Sequence, residues 1–377
     1  MKNRELEKMP PLFRVIERYL EQGILSGKFD PTRRLPSEAE LARKFQSSRP
    51  TVARAMLEIQ NRGLIERRVG SGTYISPGVG PRPVGGAPME AYGLLVAGLG
   101  GNEVIDMISA EISRLSEQRG YVVLRGYIPL PDEDAAGFTL AQAQALARTY
   151  VERHVRGVFF APLELPASRA AFNSRIAESL TDAGIAVVLI DREILDFPAR
   201  SPYDLVGLDN FAAGYALGMH LADQGRSRIR FFARPKPPST TDLRMAGARD
   251  ALLRKGIDVE PDWARFGDPS DKDLVSSSIA EPRPDGIICA NDQTAARLMQ
   301  TLVMIGIRVP DDIAVASFDD VAYASLLSAP LTTYRQPCRE IAVAAMRIMA
   351  DRIAAPGLPA RLVSLTGELI PRQSSGA

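Results

Sequence analysis

Four polar residues in the later part of the chain have the chemistry to hold a polyhydroxylated molecule. Asp191 closes the apolar run AVVLID, Asn291 follows GIICA, and Asp319 follows IAVASF. Arg244 lies in TTDLRMAGARDALL, just beyond the run RIRFFA and a loop. Carboxylates accept hydrogen bonds from hydroxyls, and guanidinium or amide groups donate them, so the set suits a sugar. Taken singly, each residue has a plainer use; an Asp after a strand is most often a helix cap. Catalytic sets are lacking. His154 and His220 are the only histidines and no G-x-S-x-G occurs, so a Ser-His-Asp hydrolase is unsupported. With only Cys289 and Cys338 beside those histidines, no Cys/His metal site is expected. GLGGNE (98–103) is a partial dinucleotide fingerprint: Glu103 stands where the third glycine belongs, and Asp106 comes too early for the ribose acid. These residues point to binding rather than catalysis, with no cofactor and no metal.

A second group lies near the N-terminus, in RLPSEAELARKF, SSRPTVARAM and LIERRVGSGTYIS. Ser37 with Glu40 three residues on is a capping box. Ser48 is a good N-cap, and Pro50 is tolerated in a first turn. Behind them Val52, Ala55, Met56 and Ile59 share one helix face, while Arg49 and Thr51 project near its N-terminal end. An earlier helix carries Leu12, Val15, Ile16, Tyr19, Leu20 and Ile24 on one face and stops at Gly27. LIERR and TYIS alternate like strands around VGSG. The order helix, helix, turn, helix, hairpin predicts a winged helix–turn–helix, whose third helix enters the major groove N-terminus first. Free backbone N–H groups there favour phosphate, and Arg49 can hold phosphate or read guanine. Gly70, Ser71 and Gly72 allow the wing backbone to approach DNA, with Arg67 and Arg68 nearby.

Both groups need scaffolds, and the chain divides accordingly. Its 377 residues are too many for one compact core. SPGVGPRPVGGAP (76–88) reads as a linker. Residues 1–78 carry 15 Lys/Arg and 9 Asp/Glu, leaving 31 and 36 of the chain's 46 and 45 for the rest. A basic head on an acidic body fits nucleic-acid binding by the head alone. With two cysteines, no run of 18 apolar residues and no signal-peptide core, a cytoplasmic protein without membrane contact is expected. Beyond the linker, strand candidates at 92–97, 121–124, 157–161, 185–191, 205–208, 228–233, 286–290 and 313–318 alternate with helical patterns. Those patterns include 103–119, 141–154, 211–224, 242–255, 292–305 and 339–354. This alternation predicts doubly wound parallel sheets, an α/β body in two lobes behind a small α+β head.

The head resembles the N-terminal domain of GntR-family bacterial repressors over 11–76, through the LPSE turn, the SRPTV helix start and the GSGT wing. That resemblance implies DNA contacts at Glu38, Arg49, Thr51 and the wing Gly70–Thr73. Arg34, Ser37, Ser48, Pro50 and Arg54 complete the DNA-binding set. Many members have a basic residue where Ala53 stands, which leaves Arg54 for phosphate. The body is similar to the effector core of LacI/GalR repressors, through VGLDNFAAGYALGMHL, LRMAGARDAL, ANDQTAARLM, VPDDIAVASFDD and PLTTYRQPCREIAVAAMRIM. The resemblance implies two periplasmic-binding-protein-like lobes joined by three crossovers, near 208–210, 334–336 and 362–365. It also implies a cleft lined by Asp191, Arg244, Asn291 and Asp319, and a dimer interface on the first lobe near 103–118 and 342–353. Phe160, Phe211 and Phe266 are weak candidates for stacking on a sugar. The expected domains are a head at 1–76, a linker at 77–91 and an effector domain at 92–373. Lobe 1 takes 92–209 and 336–362; lobe 2 takes 210–335 and 363–373. The expected function is a ligand-responsive, homodimeric repressor that binds operator DNA and a carbohydrate. The alternatives are a non-sugar effector such as a purine, or a catalytic body of the aminotransferase kind. The latter needs a Schiff-base lysine among Lys236, Lys255 and Lys272.

Overall fold

A computed structural model describes residues 12–25, 29, 35–61, 64–68, 72–75, 90–97, 102–126, 128, 136–164, 169–280 and 282–377. The chain forms two compact units, Met1–Met89 and Glu90–Ala377. Among the described residues no helix is long and apolar enough to cross a membrane.

The first unit holds α1 (Leu12–Leu25), α2 (Glu38–Lys44), α3 (Arg49–Asn61) and an antiparallel hairpin of β1 (Ile65–Arg68) and β2 (Gly72–Ile75). Its core collects Ile16, Leu20 and Ile24 of α1, Leu41 of α2, and Val52, Ala55, Met56 and Ile59 of α3. The hairpin adds Ile65 and Ile75. Burying each large aliphatic stabilises the unit by roughly 1.5–3 kcal/mol. The predicted face of α1 is narrower than expected, because Leu12 and Val15 are 43% and 37% exposed. The i, i+4 seam Ile16–Leu20–Ile24 is what lies against the rest of the core. Leu35 N donates to Thr73 O at 2.9 Å, tying the hairpin to the segment before α2. Gly27, Arg34, Gly70 and Ser71 lie outside the described residues.

The second unit contains two six-stranded sheets. The first lobe runs β3 (Ala91–Leu95), α4 (Glu103–Gln118), β4 (Val122–Arg125), α5 (Ala136–Glu152), β5 (Gly157–Phe160), α6 (Arg169–Asp182), β6 (Ala186–Ile190) and β7 (Asp204–Leu208). The chain then crosses over. The second lobe runs α7 (Asn210–Asp223), β8 (Ile229–Ala233), α8 (Ser239–Arg254), β9 (Ala264–Phe266), α9 (Lys272–Ser278), β10 (Gly286–Cys289), α10 (Asp292–Met304), β11 (Ala314–Asp319) and β12 (Thr332–Arg335). It returns for α11 (Cys338–Ala354) and β13 (Leu362–Leu365), and crosses again to β14 (Glu368–Ile370). Strand orders are β13-β7-β6-β5-β3-β4 and β14-β12-β11-β10-β8-β9. All neighbours are parallel except β12 and β14.

Continuous apolar strands such as AVVLI and GIIC are buried on both faces, as parallel sheets require. Helices α5 and α6 cover one face of the first sheet through Tyr150, Ile176 and Leu180, and α4 and α11 cover the other through Ile108, Ile112 and Met346. In the second lobe, α7 and α8 face α9 and α10 across the sheet.

One boundary differs from expectation. The sequence pattern places residues 363–373 in lobe 2, yet β13 pairs with β7 of the first sheet, Leu362 opposite Leu205. The cause is Asp204. It is fully buried and accepts from the Arg361 backbone N at 2.8 Å and from Arg352 Nε at 2.9 Å, which fastens the segment to β7. The third crossover therefore falls after Leu365.

Candidate functional site

Strands β6 and β11 hold the same place in their two sheets, third from the edge. In open parallel sheets, ligands sit beyond the C-terminal strand ends. Both strands end in aspartate with unusual backbone. Asp191 follows β6 with φ 72°, Asp319 ends β11 with φ 117°, and Asp320 follows with φ 55°. Such conformations cost about 1–3 kcal/mol each outside glycine and persist only where surroundings impose them. At Asp191 the neighbour is Gly207 of β7, where an added Cβ would stand 2.8 Å from the Asp191 carbonyl oxygen.

Arg244 is placed by the close packing of α7 on α8. A Cβ at Gly214 of α7 would lie 2.0 Å from the Arg244 carbonyl oxygen. The Arg244 side chain is buried and its donors are aimed. Nε donates to Asn210 Oδ1 at 2.8 Å, Nη1 donates to Ala290 O at 2.7 Å, and Nη2 lies 3.7 Å from Asp319 Oδ1. The guanidinium carbon is 4.6 Å from the centre of the Phe318 ring. Gln336, at the second crossover, donates from Nε2 to Asp319 Oδ1 at 2.8 Å, and its buried Oε1 has no partner.

On the first lobe, Arg192 donates from Nε and Nη2 to Asp191 Oδ2, at 2.9 and 2.7 Å. Its Nη1 pairs with Glu164. Burial pushes the Asp191 carboxyl up to about 6; Arg244 pulls it down and Asp319 adds to the rise. Burial also raises Asp319, against Arg244 and the Gln336 hydrogen bond. Burial lowers Arg192 to about 10, which leaves it charged at neutral pH. Asp191 thus senses both Arg244 and Asp319, although it belongs to the other lobe. Carboxylates and guanidinium donors converge there, an arrangement able to accept from and donate to several hydroxyls at once.

Of the four residues singled out from sequence, Asp191, Arg244 and Asp319 come together. Asn291 reaches the same sheet edge, but its Oδ1 accepts from Thr294 N at 2.9 Å and caps α10. The next residue, Asp292, is a buried joint that accepts from Thr333 Oγ1 at 2.7 Å and Val321 N at 3.0 Å. Arg192, Asn210, Gln336 and Glu164 were missed. An Arg directly after a strand-ending Asp, as in LIDR, was the available signal for Arg192. Phe160 is fully buried in the first lobe's core, Phe211 and Phe266 are 42% and 46% exposed, and Phe318, against the Arg244 guanidinium, is fully buried. Lys236, Lys255 and Lys272 are all exposed, and Lys255 pairs with Asp223 at 2.6 Å. None has the setting of a Schiff-base lysine.

In the head, Arg49 and Pro50 are exposed at the start of α3. Ser48 Oγ accepts from Thr51 N at 3.4 Å and lies 2.8 Å from Thr51 Oγ1, so both hydroxyls build the cap. Ser37 and Glu40 form the expected capping box. Glu38 Oε1 pairs with Arg67 of β1 at 2.7 Å, joining α2 to the hairpin. Arg54 stacks on Phe13 of α1, 4.2 Å from the ring centre. Gly72 has φ 122°, and the Thr73 carbonyl holds Leu35.

Residues 12–75 match the bacterial regulatory proteins of the gntR family, and residues 219–375 match the periplasmic binding protein-like domain. The chain therefore joins a GntR winged helix–turn–helix head to a periplasmic-binding-protein-like body, the make-up of a ligand-responsive transcription regulator. It is 26% identical to the arabinose metabolism transcriptional repressor of Geobacillus stearothermophilus, over 97% of this chain and 96% of that protein. It is 31% identical to the ribose operon repressor of Escherichia coli K12, over 47% of this chain and 55% of that protein. The LacI family transcriptional regulator from Enterococcus faecium with bound ribose shares the fold, with TM-score 0.60, 21% identity, and coverage of 76% of this chain and 98% of that one.

Proposed function

We propose that this regulator is a cytoplasmic homodimeric repressor whose winged heads bind operator half-sites and whose body binds a small sugar. The observation that carries the effector reading is the set of buried Asp191 and Arg244 with part-buried Asp319, drawn from both lobes at matching sheet ends. Sugar hydroxyls donate to the two carboxylates, and Arg244 donates to sugar oxygens. Gln336 offers its unpartnered Oε1 to a further hydroxyl. Asn291, with its carbonyl committed to the cap, is left with its amide nitrogen. A ligand held between carboxylates of two lobes favours one lobe arrangement over another, and that difference in affinity is what shifts the population.

On DNA, Arg49 is the base- or phosphate-reading residue, presented at the N-terminal end of α3 by the Ser48–Thr51 cap. Glu38 orients Arg67 of the wing, and Arg34, Ser37, Pro50, Arg54 and Gly70–Thr73 line the contact. Sugar binding releases the operator. A panel of sugars, scored by thermal shift and then by release of the full chain from the DNA upstream of its own gene, tests this. One sugar that stabilises the protein and releases the DNA is the expected result; stabilisation by no sugar would refute it.

A further inference from the structure

Beside the sugar set lies an arrangement that ordinarily binds anions. Helix α8 has sixteen residues, and its N-cap Pro238 supplies no side-chain hydrogen bond to the first turn. Pro238 and Ser239 line a cavity together with Arg192, Glu164 and Asp196. A helix N-terminus facing a buried guanidinium attracts phosphate. Here the anion's place is already filled. Arg192, with a side chain 9% exposed, is held on one side by Asp191 and on the other by Glu164. The other buried guanidinium, Arg244, is matched by Asp319, Asn210 and the Ala290 carbonyl. Two buried cations thus contact three carboxylates, Asp191, Asp319 and Glu164, and Glu193 and Asp196 also line the cavity. Arg234 and Lys236, on the loop before α8, are exposed and screened by water.

We infer that Glu164 sets the charge of the effector: it stands in for an anion beside Arg192, so the cleft takes a neutral polyol and turns away its phosphate ester. An incoming phosphate must displace Glu164 from Arg192 and then sit beside its carboxylate, as well as those of Asp191 and Asp319. A neutral polyol leaves the pair intact and can donate a hydroxyl to the exposed side of Glu164, which is 43% exposed. The inference builds on the sugar reading of the cleft, but one arm of its test does not.

That test uses the full chain as wild type, Glu164→Gln and Glu164→Asp. The probes are inorganic phosphate, the neutral sugar active in the panel, and the phosphate ester of that sugar. Inorganic phosphate should raise the melting temperature of Glu164→Gln and leave wild type and Glu164→Asp unmoved. Wild type should bind the neutral sugar at least about tenfold more tightly than the ester, and Glu164→Gln should close that gap. Equal or tighter binding of the ester by wild type overturns the inference, as does phosphate acting alike on wild type and Glu164→Gln. If no sugar binds, the sugar reading fails by itself, and the phosphate arm still decides the role of Glu164.

Discussion

On the proposed reading the effector response turns on Asp191 and Asp319, and their burial makes that response depend on pH. Asp191 is lifted from 3.8 to about 6. A carboxyl raised in the fold keeps its proton to higher pH than in the unfolded chain. The body therefore loses stability as pH climbs from about 4 to about 6, and the carboxylate acceptor is lost as pH falls through 6. Calorimetry should therefore find effector affinity falling as pH is lowered from 7 to 5, as Asp191 takes up its proton; a flat profile between those values would remove Asp191 from the contact. In the head, Arg49→Ala should abolish specific operator binding in an anisotropy titration and leave effector binding unchanged, because Arg49 is exposed and outside the core. Retained operator specificity would exclude Arg49 from readout. Strand ends made Asp191 and Asp319 legible in sequence, and LRMAGARDAL did the same for Arg244. Their partners were not legible. Gln336 and Asn210 acquire meaning only when crossovers bring them to Asp319 and Arg244, and Glu164 only when the loop after β5 meets Arg192.

At the scale of elements, helix α8 is the part that must stay still, since it fixes Arg244. Its spacing from α7 depends on glycine at 214, where a Cβ would meet the Arg244 carbonyl oxygen at 2.0 Å. Gly214→Ala should destabilise the body by about 2 kcal/mol, a lowered melting temperature in calorimetry. It should also weaken effector binding, because the helices must part. An unchanged melt and affinity would show that the contact does not position Arg244. Eight apolar strand runs and six helices were readable by period alone, whereas α6 and α9 were not. Nor were four short strands. Residues ARF, TTYR and ELI make β9, β12 and β14 and are too short or polar to declare themselves, and LVSL of β13, only four residues long, is not singled out as a strand either. Tertiary pairing makes them strands, and Asp204 with Arg361 decides which sheet β13 joins. In the head, a capping box and a wing at family spacing left little for the fold to add, apart from the narrower buried face of α1.

At the scale of the whole molecule, charge and fold divide the labour. The basic head holds the helix proposed to enter the groove, and the acidic body, built from two six-stranded sheets, holds the residues proposed to bind the effector. Coupling between them is reciprocal: an effector that weakens operator binding by some factor is itself weakened by operator to the same extent. The most direct test is a fluorescence-anisotropy titration of the full chain with its upstream DNA, with and without the sugar that stabilises it, on wild type and Asp319→Ala. Wild type should release the DNA when sugar is added, whereas Asp319→Ala should bind the DNA equally well and stay bound. Release of Asp319→Ala at the same sugar concentration, or no effect of sugar on wild type, would contradict the account.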